Sequence, residues 1–329
     1  MSGPRTQGSP TTMLVVNTWS EDAVFYDLAT FTETARIELP PQPHEVRHDR
    51  RRGLAYVTLP YRDGFYDIHE QEASEVVVVD LTSREVAEVI DLAPEVGPHG
   101  MYLDAGADVL WMTVETNGGA IIGLDLETRE HVARISTGGG PGEGKPHWMT
   151  MLSDVSKAYT ANKQSRYASV VDIQTGKLKS KIPMPGGSED VELNADETRL
   201  FVSSRDNPVL HVIDTASDEE CGRVELDDAP GRLHMTSDGK LIVTHFHLPY
   251  QTNGVEEPGR ISIVDPVSLE QVRSMTVGRT PIDLTSSTGG DLGYLCNAQS
   301  GTVWEIDLES MEMRREAVAG NAPHGVILY

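Results

Sequence analysis

Cysteine is nearly absent: only Cys221 and Cys296 occur in 329 residues. They fall in different copies of the repeat described below, one opening an outermost strand and one in a strand nearer the axis. Two separate free thiols in a reducing compartment are therefore expected. Basic residues are also scarce, 27 Lys and Arg against 51 Asp and Glu, giving a net charge of −24. A phosphate backbone is held largely by Lys and Arg, so this balance argues against a nucleic-acid partner. The acidity reads as solubility, carried by turns such as Ser217-Asp218-Glu219-Glu220. No apolar run approaches the ~18 residues of a membrane span, and the Pro/Gly-rich first dozen residues lack the apolar core of a secretory signal. A cytoplasmic protein with no membrane partner and a disordered segment over residues 1–12 is expected.

What the chain has in abundance is repetition. Seven short apolar runs end in aspartate and lead into a polar turn, at Asp27, Asp80, Asp125, Asp172, Asp214, Asp265 and Asp307. The copies lie roughly 42 to 53 residues apart, a period typical of propeller blades. One copy reads as four strands: a from Pro98-His99, b through Leu110-Trp111-Met112-Thr113, c ending in Asp125, and d from His131. The same order recurs from Pro43, Pro146, Ser188, Pro230, Pro281 and Pro323. After Pro323-His324 only Gly-Val-Ile-Leu-Tyr remains, whereas residues from Met13 supply b-, c- and d-like strands. The two ends must share a blade, which removes open sheet edges. The expected fold class is all-β, a single seven-bladed β-propeller of four-stranded blades over residues 13–329, closed by the N-terminal b, c and d strands pairing with the C-terminal a strand.

The repeat resembles the YVTN-type seven-bladed propellers. Tyr56-Val57-Thr58, Trp111-Met112-Thr113, Ile242-Val243-Thr244 and the Val-Ile-Asp and Val-Val-Asp strands carry the likeness, which covers residues 13 to 329. The resemblance implies the fold and leaves function open, because such propellers include surface-layer proteins, ligand binders and enzymes of several classes.

Function must then come from departures within the repeat. Strand a is innermost, and the residue after its opening Pro or Ser sits at the mouth of the channel. Around the ring that position reads His44, His99, His147, Glu189, Gly231, Ile282 and His324. Because blade seven adjoins blade one, the four histidines come from consecutive blades. Four imidazoles suit a divalent transition metal, with open positions left for substrate or oxygen. His44, His99, His147 and His324 are the expected ligands, and Fe(II) is favoured, with Cu or Zn as alternatives. Glu189 is expected to orient a neighbouring imidazole or to bind directly, and it or His245 is the catalytic residue expected to move protons in a lyase or lactone-opening reaction. Without a ligand, four crowded imidazoles would be costly through desolvation or mutual repulsion. The alternatives are a pocket without metal and a merely structural Pro-His-Gly turn.

Further candidates gather on the same face. His245 closes strand b of blade five and is read as a substrate-side acid or base. Arg232, beside Gly231, is placed to hold a substrate carboxylate or phosphate. Trp148 is an apolar wall or an inter-blade packing residue. Two long b–c loops, residues 59–75 and 246–260, supply Tyr61, Phe65, Tyr66, Phe246, His247 and Tyr250 as pocket walls or a lid. The run Gly139-Gly140-Pro141-Gly142-Glu143-Gly144-Lys145 mimics a phosphate loop, but Pro146 replaces its Ser or Thr and a strand follows, so it is a connector. Three readings follow: a non-haem iron or copper oxidoreductase or oxygenase acting on a small organic molecule; a metal-assisted lyase or lactone hydrolase; and a noncatalytic propeller binding a ligand or protein. The first has an architectural analogy in carotenoid-cleaving oxygenases, whose sequence motifs are absent here. A monomer with a small-molecule substrate is expected.

Overall fold

Each repeat aspartate ends a strand by accepting the amide protons of the turn that follows. In this computed structural model, which describes residues 9–64, 68–140, 145–247 and 257–329, Asp80 Oδ1 accepts the N–H groups of Thr82 and Ser83, both at 2.8 Å. Asp125 bonds Glu127 and Thr128 at 2.8 and 2.7 Å, and Asp214, Asp265 and Asp307 repeat the pattern. These donors hold the carboxyl of Asp80 below its ordinary range, Ser83 first and Thr82 second. Four residues after every aspartate φ is positive, at Phe31, Arg84, Arg129, Gly176, Asp218, Leu269 and Met311. Only one of these is glycine, so the turn chemistry imposes a conformation that costs an L-residue roughly 1–2 kcal/mol.

The strands assemble into seven four-stranded antiparallel sheets. Blade one contains Val46–Asp49, Leu54–Tyr61, Glu72–Asp80 and Glu85–Asp91; in blade seven Pro323–Leu328 pairs with Thr12–Asn17, followed by Asp22–Asp27 and Thr32–Glu38. The seam is in register at Met13 with Leu328 and Val15 with Val326. The first strand starts at Thr12, and the N–H groups of Thr11 and Thr12 both reach the Tyr329 carbonyl at 3.0 Å. Pairing to the closing strand therefore reaches into the segment that composition assigned to a tail.

Seven apolar clusters fill the spaces between blades. Between blades one and two, for example, Tyr56, Val76 and Val78 meet Met101, Leu110, Met112 and Ile122. Alternating residues of the inner strands feed the two flanking interfaces, while the outermost d strands, such as Glu85–Asp91, show a largely exposed pattern. Several a strands open with a register shift, between Pro146 and Met149, Ser188 and Val191, and Pro281 and Asp283. The regular alternation is broken there, next to the axis. Within the channel a cavity of about 370 Å³ is lined by Arg47, Trp148, Thr150, Glu192, His234 and Asp283, among others. Cys296 is buried, Cys221 exposed, and neither forms a disulfide. Among the described residues no helix is long and apolar enough to cross a membrane.

Candidate metal centre at the channel mouth

The threonine of each Tyr-Val-Thr-like b strand fixes the start of strand a. The N–H groups of His44 and His99 donate to the carbonyls of Thr58 and Thr113 at 2.9 and 3.0 Å. The Thr113 hydroxyl reaches across to the His147 carbonyl at 2.7 Å, joining blades two and three. All four histidines of the arc are buried, at most 2% exposed. Ring centroids are 4.0 Å apart for His324 and His44, 5.7 Å for His44 and His99, and 4.8 Å for His99 and His147. The arc is thus two close pairs with a gap between them.

Glycine makes the pairs. A Cβ on Gly100, the residue after His99, would lie 2.8 Å from Met149 N and 3.0 Å from the His147 carbonyl. One on Gly325, after His324, would lie 2.8 Å from the His44 carbonyl. Where the following residue is Glu45 instead, the rings stand 5.7 Å apart, and the Glu45 carboxylate lies within reach of ligand atoms on both sides. Glu45 is 1% exposed; its Oε1 lies 3.6 Å from His99 Nδ1 and 3.8 Å from His147 Nε2, and its Oε2 accepts the Thr58 hydroxyl at 2.8 Å. Ligand-competent atoms within 4.8 Å of one another form two sets, His44 with Glu45 and His324, and Glu45 with His99 and His147. Among the described residues no single set holds all four histidines; they divide between two sets that share the Glu45 carboxylate.

The outer nitrogens are anchored. His99 Nε2 meets the Tyr61 hydroxyl at 2.9 Å and Glu115 Oε1 at 3.2 Å, and Tyr61 also donates to Glu115 at 2.9 Å. His147 Nδ1 meets Glu189 Oε1 at 3.2 Å and the Glu189 carbonyl at 3.1 Å. Buried Lys163 places Nζ 3.2 Å from the Tyr61 hydroxyl and 3.5 Å from Glu115, whose other oxygen pairs with Lys145 at 3.1 Å. Arg205 stands 3.5 Å from Glu189. His69 stacks on Tyr61 at 3.8 Å.

Burial sets the protonation. It pushes His44 and His147 well below the usual imidazole range, helped by neighbouring His324 and Lys163 respectively, and takes His324 down to about 3. Burial would raise Glu45, but His44, His99 and Arg232 hold it low. Neutral His44, His147 and His324 beside an ionised Glu45 are the protonation states that metal ligation requires. The Nδ1 atoms of His99 and His324 are buried with no hydrogen bond within 3.5 Å, and Glu45 Oε1 stands 3.6 Å from His99 Nδ1. The fit to a metal rests on these under-satisfied nitrogens and on the donor set.

The other expected site residues separate. Arg232 is buried with Nη2 3.4 Å from Glu45 Oε1, its guanidinium carbon 3.8 Å over the Trp148 ring, and its Nη1 unpartnered. Trp148 also packs on the core between blades three and four. His245 turns away: Nδ1 meets the carbonyls of Asp228 and Ala229 at 3.1 and 3.2 Å, and Nε2 meets the Ser262 hydroxyl at 2.8 Å. Both its nitrogens serve its own blade, which leaves neither for substrate acid–base work. Phe246 fills the space over Gly231, where a Cβ would lie 2.3 Å from its ring, and packs on the core between blades six and seven. His247 pairs with Asp228 at the surface, at 3.1 Å. Phe65, Tyr66 and Tyr250 lie outside the described residues, as do positions 141–144 of the glycine-rich connector and residues 1–8. Sequence reasoning missed Glu45, Glu115 and Lys163.

A family profile described as YNCE-like beta-propeller matches residues 62–238. Among solved structures, the periplasmic gluconolactonase of Pseudomonas aeruginosa aligns with TM-score 0.72 at 16% identity, covering 96% of this chain and 98% of that one. A functionally unknown protein from Desulfotomaculum acetoxidans aligns with TM-score 0.75 at 10% identity, covering 97% and 98%. Dihydro-heme d1 dehydrogenase NirN in complex with DHE aligns with TM-score 0.65 at 15% identity, covering 99% of this chain and 77% of that one. These similarities show the fold. No curated protein sequence matches the chain.

Proposed function

We propose, for a chain that belongs to the YNCE-like beta-propeller family, that the channel mouth is a transition-metal centre of an oxidoreductase acting on a small organic molecule, with Fe(II) favoured and Cu or Zn as the alternatives. One observation carries this. His99 Nδ1 and His147 Nε2 face one Glu45 oxygen at 3.6 and 3.8 Å, while the opposite nitrogens are tied to Glu115 and Glu189. Two histidines and one carboxylate are the donor set of non-haem Fe(II) oxygenases. Donors each about 2.1 Å from a shared ion lie about 3.0 Å apart on a facial octahedral ion and about 3.4 Å apart on a tetrahedral one, so these three atoms must draw in by some tenths of an ångström on binding. The outer carboxylates fix ring orientation and raise the basicity of the ligating nitrogens.

Bound there, the ion supplies a redox and Lewis-acid centre for oxygen or substrate. The chain supplies the rest. Tyr61, hydrogen-bonded to Glu115 with Lys163 Nζ beside its oxygen, is placed to hold and deliver a proton next to His99. Arg232 Nη1 supports capture of a carboxylate or phosphate on the substrate.

A second reading, metal-assisted lactone hydrolysis, is favoured by that same unpartnered guanidinium nitrogen, which can donate to the carbonyl or hydroxyl oxygens of a sugar lactone; one structural neighbour is a gluconolactonase. Metal content of untagged protein, measured by plasma mass spectrometry beside His99→Ala/His147→Ala and Glu45→Gln, tests both. Iron or copper lost in the variants supports the oxidoreductase, zinc supports hydrolysis, and no bound metal after reconstitution overturns both in favour of a binding propeller.

A further inference from the structure

The two halves of the histidine arc are spaced as separate ligand sets, and we propose that the mouth holds two transition-metal ions bridged by Glu45, one bound by His99 and His147 and the other by His44 and His324. This inference rests on the metal-centre reading above and fixes its nuclearity.

Geometry argues against a single shared ion. Two donors bonded at about 2.1 Å on opposite sides of one ion stand at most about 4.2 Å apart. Even a looser limit of 4.8 Å does not gather the four histidines into one set; it divides them in two with Glu45 in both. The division is built into the backbone. Gly100 lets the start of blade two close on the backbone of blade three, and Gly325 lets blade seven close on blade one. Between those contacts, where blade one meets blade two, the ring spacing opens to 5.7 Å. Glu45 is the residue common to both sets.

A carboxylate has two oxygens, and bridging uses both. Glu45 Oε1 faces His99 and His147; Oε2 is held by the Thr58 hydroxyl, a neutral donor that can turn its oxygen to the carboxylate's edge or to water. Paired ions in enzymes lie roughly 3.5–4 Å apart, the spacing that one bridging carboxylate spans. Each ion would keep three protein ligands and open positions for substrate, water or oxygen. Arg232, 3.4 Å from Glu45 Oε1, and the buried Lys163 oppose added positive charge; Glu115 and Glu189 behind His99 and His147 offset it in part, since they already pair with Lys163, Lys145 and Arg205.

The test is stoichiometric and magnetic, and needs no substrate. Chelator-stripped full-length protein is titrated with Co(II), and separately loaded with Mn(II) for electron paramagnetic resonance. The expected result is two equivalents bound by the wild type, one by His44→Ala/His324→Ala, one by His99→Ala/His147→Ala, and a spin-coupled Mn(II) pair instead of the six-line spectrum of isolated Mn(II). One equivalent in the wild type with an uncoupled spectrum overturns the two-ion centre and leaves the metal reading standing. No binding by the wild type overturns the metal reading itself. If a double variant fails to fold by circular dichroism, the wild-type stoichiometry and spectrum decide alone.

Discussion

Gly100 and His147, on neighbouring blades, touch backbone to backbone: the glycine N–H donates to the histidine carbonyl at 2.9 Å, and no side chain fits between them. Substituting Gly100 by alanine must spread the two strands and, with them, the His99–His147 pair. Gly100→Ala is expected to weaken metal binding by ten-fold or more without altering a ligand, and to cost about 1–3 kcal/mol of stability through overpacking. Chelator competition and urea unfolding read the two effects separately. Gly325→Ala should act in the same way on His44 and His324.

Glu115 and Glu189 touch the outer nitrogens of their histidines and lie away from Glu45. Glu115→Gln and Glu189→Gln are each expected to reduce metal affinity by about 10- to 100-fold while circular dichroism stays unchanged. An unchanged affinity would mean that these carboxylates serve only the buried Lys163 and Arg205 charges.

Glu192, in the channel, gives stability a pH dependence of definite sign. Burial raises its carboxyl to about 7. A carboxyl whose folded value lies above its unfolded one binds its proton more tightly in the native state. Its contribution is complete below about pH 4.5 and is lost as pH rises through 7. The wild type is expected to lose about 1–3 kcal/mol between pH 4.5 and 8 from this group, a range discounted for partial exposure. Glu192→Gln, which keeps an acceptor for the Met235 N–H, should flatten that part of the curve in urea unfolding. Asp283, pushed up to about 6 by burial, contributes a smaller slope of the same sign.

Phe246 packs over Gly231 and against the interface of blades six and seven. Phe246→Ala is expected to cost about 1–3 kcal/mol in thermal or urea unfolding and to leave metal stoichiometry intact. Gly231→Ala, whose Cβ would collide with the ring, should destabilise by a similar amount.

The ring was legible because the same aspartate turn is written seven times and the closing strand is missing at one end and supplied at the other. The histidine arc was legible because Pro-His fixes a register. Glu45 was not. Strict alternation on strand a allots one axial residue to the mouth, whereas in blade one both His44, through its N–H, and Glu45, through its carbonyl, bond the single residue Thr58, which brings two consecutive residues to the mouth. The signal was present all the same: the position after each histidine or its equivalent reads Glu45, Gly100, Trp148, Asp190, Arg232, Asp283 and Gly325, ionisable at four places on an innermost strand. Glu115, Lys163 and Arg205 follow the ends of b strands, where His245 alone drew notice. His245 itself misled because a strand end fixes where a ring starts and leaves open which way it turns.

The aspartate turns make the seven blades interchangeable to the scaffold, since each closes with the same amide bonds and the same left-handed residue. At the mouth the blades cease to be copies. One position on each spells His, His, His, Glu, Gly, Ile and His; the histidines and the glutamate can be changed while the turns and inter-blade cores are left as they stand, whereas Gly231 lies under Phe246 and Ile282 belongs to the core between blades six and seven. Such a molecule separates heritable form from heritable chemistry: drift in a handful of axial codons is enough to retune what the ring binds, and the ring survives the experiment.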